Sequence, residues 1–151
     1  PGFEDPLSHD ARLDPACAAL RGGDLIVKGN AGARTGIDMK GGTIIIGGNA
    51  GAFTGFMMQR GRIIVCGDVS ANMGDSMYDG MIFVGGEVKS LGSDCVESEM
   101  NEYEIKWLEQ KLNNAEINPK TPVSKFKKYV AGKKLWNYDN LEPSERKGIL
   151  G

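Results

Sequence analysis

The stretch GGDLIVKGNAGARTG at residues 22–36 is answered nineteen residues on by GGTIIIGGNAGAFTG at residues 41–55. The echo does not stop at two copies. Gly29, Gly48, Gly67 and Gly86 stand 19 apart, and so do Gly23, Gly42, Gly61 and Gly80. Gly36, Gly55 and Gly74 keep the same step, and Gly92 misses it by one residue. The apolar positions move with the glycines: Leu25, Ile44, Ile63, Ile82; Val27, Ile46, Val65, Val84; Met39, Met58, Met77. Copies in register at a period near 20 residues define a stacked array, in which each unit buries its apolar face only against its neighbours.

Each copy carries one short run rich in Ile and Val (DLIVK, TIIIG, RIIVC, MIFVG) bounded by glycine, which reads as a strand. No unit holds a ten-residue helical pattern, which excludes leucine-rich and all-helical repeats. Strands laid on their successors put equivalent residues about 4.8 Å apart in parallel ladders. The prediction is an all-β fold: a right-handed parallel β-helix, a solenoid of about four 19-residue coils. A left-handed hexapeptide helix would show a six-residue sub-period, which is absent.

Eighteen of the 22 glycines fall between Gly22 and Gly92. A coil turns corners, and glycine permits positive φ and close backbone approach at the least steric cost. Gly48 and Gly67 are therefore expected at equivalent corners, with φ > 0 or pressed against the next coil. Ala33, Ala52, Ala71 and Ser90 form a small-residue column beside them, and Asn30, Asn49, Asp68 and Glu87 form a polar column at a solvent-facing bend. Phosphate binding is disfavoured: the Walker pattern GxxxxGK[ST] is absent and neither loop leads into a helix.

Composition narrows the classes further. The 151 residues divide into a head (1–21), the glycine-rich coil (22–96) and a helical cap with an extended tail (97–151). With 18 basic against 20 acidic residues, no electrostatic nucleic-acid binder is indicated. The longest apolar run, residues 43–58, is interrupted by Asn49 and falls short of the roughly 20 residues a membrane span needs. No signal peptide opens the chain, which begins at Pro1 as a processed, tagged or excised segment would. Cys17, Cys66 and Cys95 form no CxxC pair and read as cytoplasmic free thiols.

The units GGTIIIGGNAGAFTG and GDVSANMGDSMYDGMIFVGG resemble the GXGXG domain, the β-helical C-terminal domain of the glutamate synthase large subunit. The continuation GGEVKSLGSDCVESEMNEYEIKWLEQKL, then FKKYVAGKKLWNYD, looks most like the stand-alone form, a separate small subunit of a glutamate-synthase-like complex. The same repeat occurs in one of the subunits of formylmethanofuran dehydrogenases. The resemblance implies a structural, non-catalytic role. The overall reaction would be reductive transfer of the glutamine amide nitrogen to 2-oxoglutarate, with the chemistry on other subunits. FMN and an iron–sulfur cluster are expected on the glutaminase and flavin-bearing synthase partners, and no catalytic, cofactor or metal ligand set carries over to this chain. The alternative is a scaffold subunit of a formylmethanofuran dehydrogenase. Family members usually have more coils than four.

In the tail, Asn101 and Glu104 make a capping box, and Ile105, Leu108 and Leu112 share one helical face beside Tyr103 and Trp107. A helix over residues 101–113 is predicted to cover the open end of the coil. Val123, Phe126 and Val130 suggest a second short helix.

Candidate chemistry is sparse. His9 is the single histidine, so no Ser/His/Asp arrangement can be assembled except around it, and no GxSxG elbow appears; an independent hydrolase is disfavoured. Asp75, Asp79 and Asp94 read as solvated corner carboxylates, with a weak cation site as the rival. Met39, Met58 and Met77 read as core. Trp136 and Tyr138 either anchor a partner or fold back on the coil. Strand alternation leaves one outer apolar ladder in either register: Ile26, Ile45, Ile64 and Phe83 if Leu25 and Val27 point inward, or Leu25, Val27 and their equivalents if the register is reversed. So large an apolar face is expected to be covered, by the tail or by another subunit. The missing N-terminal cap on the first coil favours a partner, giving a homo-oligomer when isolated and a heteromer in the cell.

Overall fold

The computed structural model describes residues 22–132. Four parallel strands are laid down at the repeat: β1 (Asp24–Val27), β2 (Lys40–Ile46), β3 (Arg60–Val65) and β4 (Met81–Val84). Leu25 lies opposite Ile44, Ile44 opposite Ile63, and Ile63 opposite Ile82. A second parallel column of bridges joins Ala31, Ala50, Val69 and Val88. The four stacked strands enclose about three turns of a β-solenoid, as the period requires. In the last turn Met73 pairs with Leu91, only 18 residues on, which is why Gly92 arrives one residue early.

Alternation decides what lies inside. Val27, Ile44, Ile46, Ile63, Val65, Ile82 and Val84 point into the coil with Met39, Met58 and Met77, so the methionine column is core packing. The interleaved residues Ile45, Ile64 and Phe83 point outward and are nevertheless at most 1% exposed. Their cover is α1 (Glu102–Asn114), whose Leu108 and Leu112 join them in a second apolar cluster with Cys66, Ala115 and Phe126. The capping box forms: Asn101 Oδ1 accepts the Glu104 N–H at 2.8 Å and Glu104 Oε1 accepts the Asn101 N–H at 3.0 Å. Lys28 Nζ donates to the Ala115 carbonyl beyond the other end of the helix, where the helix dipole favours a cation.

The tail departs from the expected arrangement in two ways. The helix lies along the flank of the solenoid and not across its end: its Leu108 and Leu112 pack on the outer ladder of Ile45, Ile64 and Phe83. The end is closed by strands instead. β5 (Cys95–Ser98) and β6 (Lys127–Ala131) extend the sheet in the order β1-β2-β3-β4-β6-β5, with β6 antiparallel to both neighbours. The predicted helix through Val123, Phe126 and Val130 is reduced to a 3-10 turn at Val123–Lys125. Beyond it, alternation takes over: Tyr129 and Ala131 enter the inner core, and the open edge of β4 supplies hydrogen-bond partners that a helix would leave unused.

This cover leaves little of the outer ladder for a partner. Between Ile45 and Phe83 it is closed by the chain's own helix, and Ile26 at its foot is 37% exposed.

Candidate interaction surface

The polar column is a hydrogen-bonded ladder. Asn30 Oδ1 accepts the Asn49 N–H at 2.7 Å, Asn49 Oδ1 accepts the Asp68 N–H at 2.8 Å, and Asp68 Oδ1 accepts the Glu87 N–H at 2.8 Å. Each side chain thereby satisfies the backbone of the coil above. Gly48 and Gly67 precede this bend, and there the expectation divides: neither has positive φ, and both are glycine because of crowding. A Cβ on Gly67 would lie 2.2 Å from Asn49 Oδ1 and 2.7 Å from the Gly48 carbonyl oxygen.

The left-handed conformations fall elsewhere, and several are not on glycine. Arg34, Phe53 and Asn72 each have φ 59°, and Asp38, Met57 and Ser76 have φ between 55° and 57°. These are two columns of one corner, fixed by bonds that alternate between coils: Arg34 N–H to the Ala52 carbonyl at 2.7 Å, Phe53 N–H to that of Ala71 at 2.9 Å, Met57 N–H to that of Asp75 at 2.9 Å. Thr35 and Thr54 brace the corner from inside, each hydroxyl donating to the carbonyl three residues back at 2.9 Å. Between the two columns the repeating glycines Gly36, Gly55 and Gly74 hold positive φ (76°, 77° and 69°), so the corner itself is marked by glycine. The flanking left-handed columns carry no such signal, and sequence reasoning missed them.

On the second coil this corner turns apolar. Asn and Asp are the residues that best tolerate left-handed φ, yet Phe53 and Met57 occupy it here. Phe53 and Phe56 meet edge to face at 5.6 Å, the Arg34 guanidinium sits 5.6 Å from the Phe53 ring, and Met57 is 38% exposed. The result is a rigid, partly exposed aromatic and thioether patch rimmed by a cation.

Asp75 Oδ1 accepts the Ser93 N–H at 2.7 Å, Asp79 Oδ1 accepts the Gly80 N–H at 2.8 Å, and Asp94 is left-handed at φ 69°. Among the described residues no three of His, Cys, Asp and Glu stand together as a metal site. Cys66 and Cys95 are buried free thiols whose desolvation pushes their pKa values up to about 11 and about 12, the reverse of what a reactive thiolate requires. His9, Cys17, Trp136 and Tyr138 lie outside the described residues. Among those residues, no helix is long and apolar enough to cross a membrane.

A parallel β-solenoid with a filled apolar interior and a helix packed on its flank is the class of fold that the chain defines. Within that class, the GXGXG motif family model matches residues 16–143, and the chain belongs to this family. That membership is consistent with the resemblance to the GXGXG domain of glutamate synthase. No curated protein and no solved structure matches the chain.

Proposed function

We propose that this chain is a non-catalytic structural subunit or domain of a cytoplasmic glutamate-synthase-type complex. The observation that carries the reading is the family match across residues 16–143. In the proposed complex, glutaminase and flavin/iron–sulfur synthase partners supply the FMN, the cluster and the transfer of amide nitrogen to 2-oxoglutarate. The solenoid holds them in register. The filled core suits this role: Met39, Ile44, Met58, Ile63, Met77 and Ile82 are all 0% exposed, which makes the body a stiff rod. The Phe53–Phe56–Met57 corner is the proposed contact with a partner, and with a second copy when the chain is isolated. Aromatic residues, Met and Arg are enriched at interfaces.

The test is purification of the native assembly with identification of its co-eluting chains, together with visible spectroscopy of this chain alone. Glutaminase and flavin-bearing chains are expected in the assembly, and a colourless isolated chain. Molybdopterin-bearing chains would move the assignment to the formylmethanofuran dehydrogenase scaffold. A stoichiometric flavin or cluster spectrum from the isolated chain would overturn the structural role.

A further inference from the structure

We propose that the corner at Asp79–Gly80 is a site of spontaneous isoaspartate formation, at which the folded chain modifies itself. The reaction needs a backbone amide nitrogen close to the carboxyl carbon of the preceding aspartate and a following residue without a side chain to obstruct the ring. Asp79 is exposed, and Gly80 donates its N–H to Asp79 Oδ1 at 2.8 Å. The attacking nitrogen is thus already beside the carboxyl group it must reach. Gly80 holds φ +104°, a conformation that the corner of the solenoid imposes.

The bonds balance without a co-reactant. The Gly80 nitrogen attacks Cγ of the neutral Asp79 carboxyl, an N–C bond forms and a C–O bond breaks. The hydroxyl leaves with the amide proton as water, giving a five-membered succinimide. Water then adds to either ring carbonyl. Cleavage on the main-chain side leaves the chain running through the former side chain, as an isoaspartyl residue with one more backbone atom.

The rest of the molecule supplies the contrast. Asp75 is followed by the small Ser76, yet Asp75 Oδ1 is held by the Ser93 N–H at 2.7 Å and the Ser76 N–H is bonded to the Ser93 carbonyl at 3.0 Å. Asp68 is followed by β-branched Val69, whose N–H goes to the Glu87 carbonyl at 2.9 Å. At both positions the nitrogen is committed to the next coil. At Asp79 it faces its own carboxylate. The extra backbone atom lengthens the chain immediately ahead of β4, which begins at Met81.

The test is incubation of the full chain at neutral pH and physiological temperature. Isoaspartate is then quantified with a protein isoaspartyl methyltransferase and labelled S-adenosylmethionine, and located by peptide mapping. A synthetic peptide of residues 76–82 gives the unprotected rate. Label at residue 79, within about tenfold of the peptide rate and absent in Asp79→Glu, is expected. A rate more than about tenfold below the peptide would mean that the corner must first open by local unfolding, and would overturn the proposal. So would label at Asp75 in preference to Asp79. The rate comparison uses wild type alone, so it decides the matter even where a variant fails to fold.

Discussion

Asn49 holds the backbone of Asp68 from the coil beneath, its Oδ1 accepting that N–H at 2.8 Å. The same contact recurs one coil lower and one coil higher, so the bend is stitched by side chains where the strands are absent. Asn49→Ala removes one acceptor and is expected to destabilise by about 1 kcal/mol, the net worth of one hydrogen bond. Asn49→Asp keeps the acceptor, as Asp68 does naturally, and should cost less. Equal midpoints for the two variants in urea would remove the ladder from the account.

Gly48 tests the same bend sterically. A Cβ there would lie 2.3 Å from Asn30 Oδ1 and 2.9 Å from the Gly29 carbonyl, and the backbone carbonyl has nowhere to go. Gly48→Val is expected to destabilise by more than the roughly 1 kcal/mol typical of point substitutions. A thermal midpoint unchanged from wild type would refute the crowding.

The period, the buried methionine column and the capping box were legible in the sequence, because each depends on residues close together or repeating at 19. Which strand face turns inward was not, because both alternating sets are apolar: Val27, Ile46, Val65 and Val84 on one, Ile45, Ile64 and Phe83 on the other. What Ile45, Ile64 and Phe83 would meet was not legible. Their cover comes from Leu108 and Leu112, far along the chain, and the outer ladder and the open end competed for the same helix. β6 was misread because Val123, Phe126 and Val130 satisfy a helical spacing, while the unpaired edge of β4 that recruits the strand is a feature of the assembled fold. The recurring Gly36, Gly55 and Gly74 marked this corner, but the left-handed columns on either side escaped notice because glycine advertises backbone freedom and Phe53 does not.

The helix strap makes a further prediction. Leu108, on the buried face of α1, is 0% exposed, and Leu108→Ala is expected to cost about 2–5 kcal/mol. Loosening α1 uncovers the ladder, so the variant should also self-associate more than wild type in the ultracentrifuge. Ile64→Lys places a charge at a position 0% exposed and is expected to unfold the chain. A folded, soluble Ile64→Lys would mean that α1 leaves the flank in solution.

Acid should weaken the strap. Burial alone would raise the Glu104 carboxyl pKa, but the hydrogen bond from Lys128, the Asn101 N–H and the charges of Lys128 and Arg62 outweigh it and hold the group below the usual glutamate value. Its Oε2 lies 2.7 Å from Lys128 Nζ, with the Glu104 side chain 13% exposed. Because the folded value is depressed, the stabilisation is fully present above the unfolded pKa and is lost as pH falls through the folded one. Urea midpoints taken from neutral pH down through the carboxylate range should fall more steeply for wild type than for Glu104→Gln. Parallel slopes would show that the pair contributes nothing to acid sensitivity.

The partner surface can be separated from stability at Phe53 and Met57. Both are left-handed, where Asn72 and Ser76 occupy the equivalent places one coil on. Phe53→Asn and Met57→Ser therefore install residues that the same corner already accommodates. Relief of backbone strain is worth on the order of 1 kcal/mol at such positions. Loss of the edge-to-face pair with Phe56 forfeits a similar amount, about 0.5–1.5 kcal/mol. Relief at two positions, about 2 kcal/mol, is offset in part by the lost pair, so the double variant is expected to unfold within about 2 kcal/mol of wild type. If the corner is a contact surface, the same variant should lose self-association in the ultracentrifuge and drop out of the native assembly on affinity purification. A variant that folds like wild type and still assembles like it would show that the strained apolar corner has no part in binding.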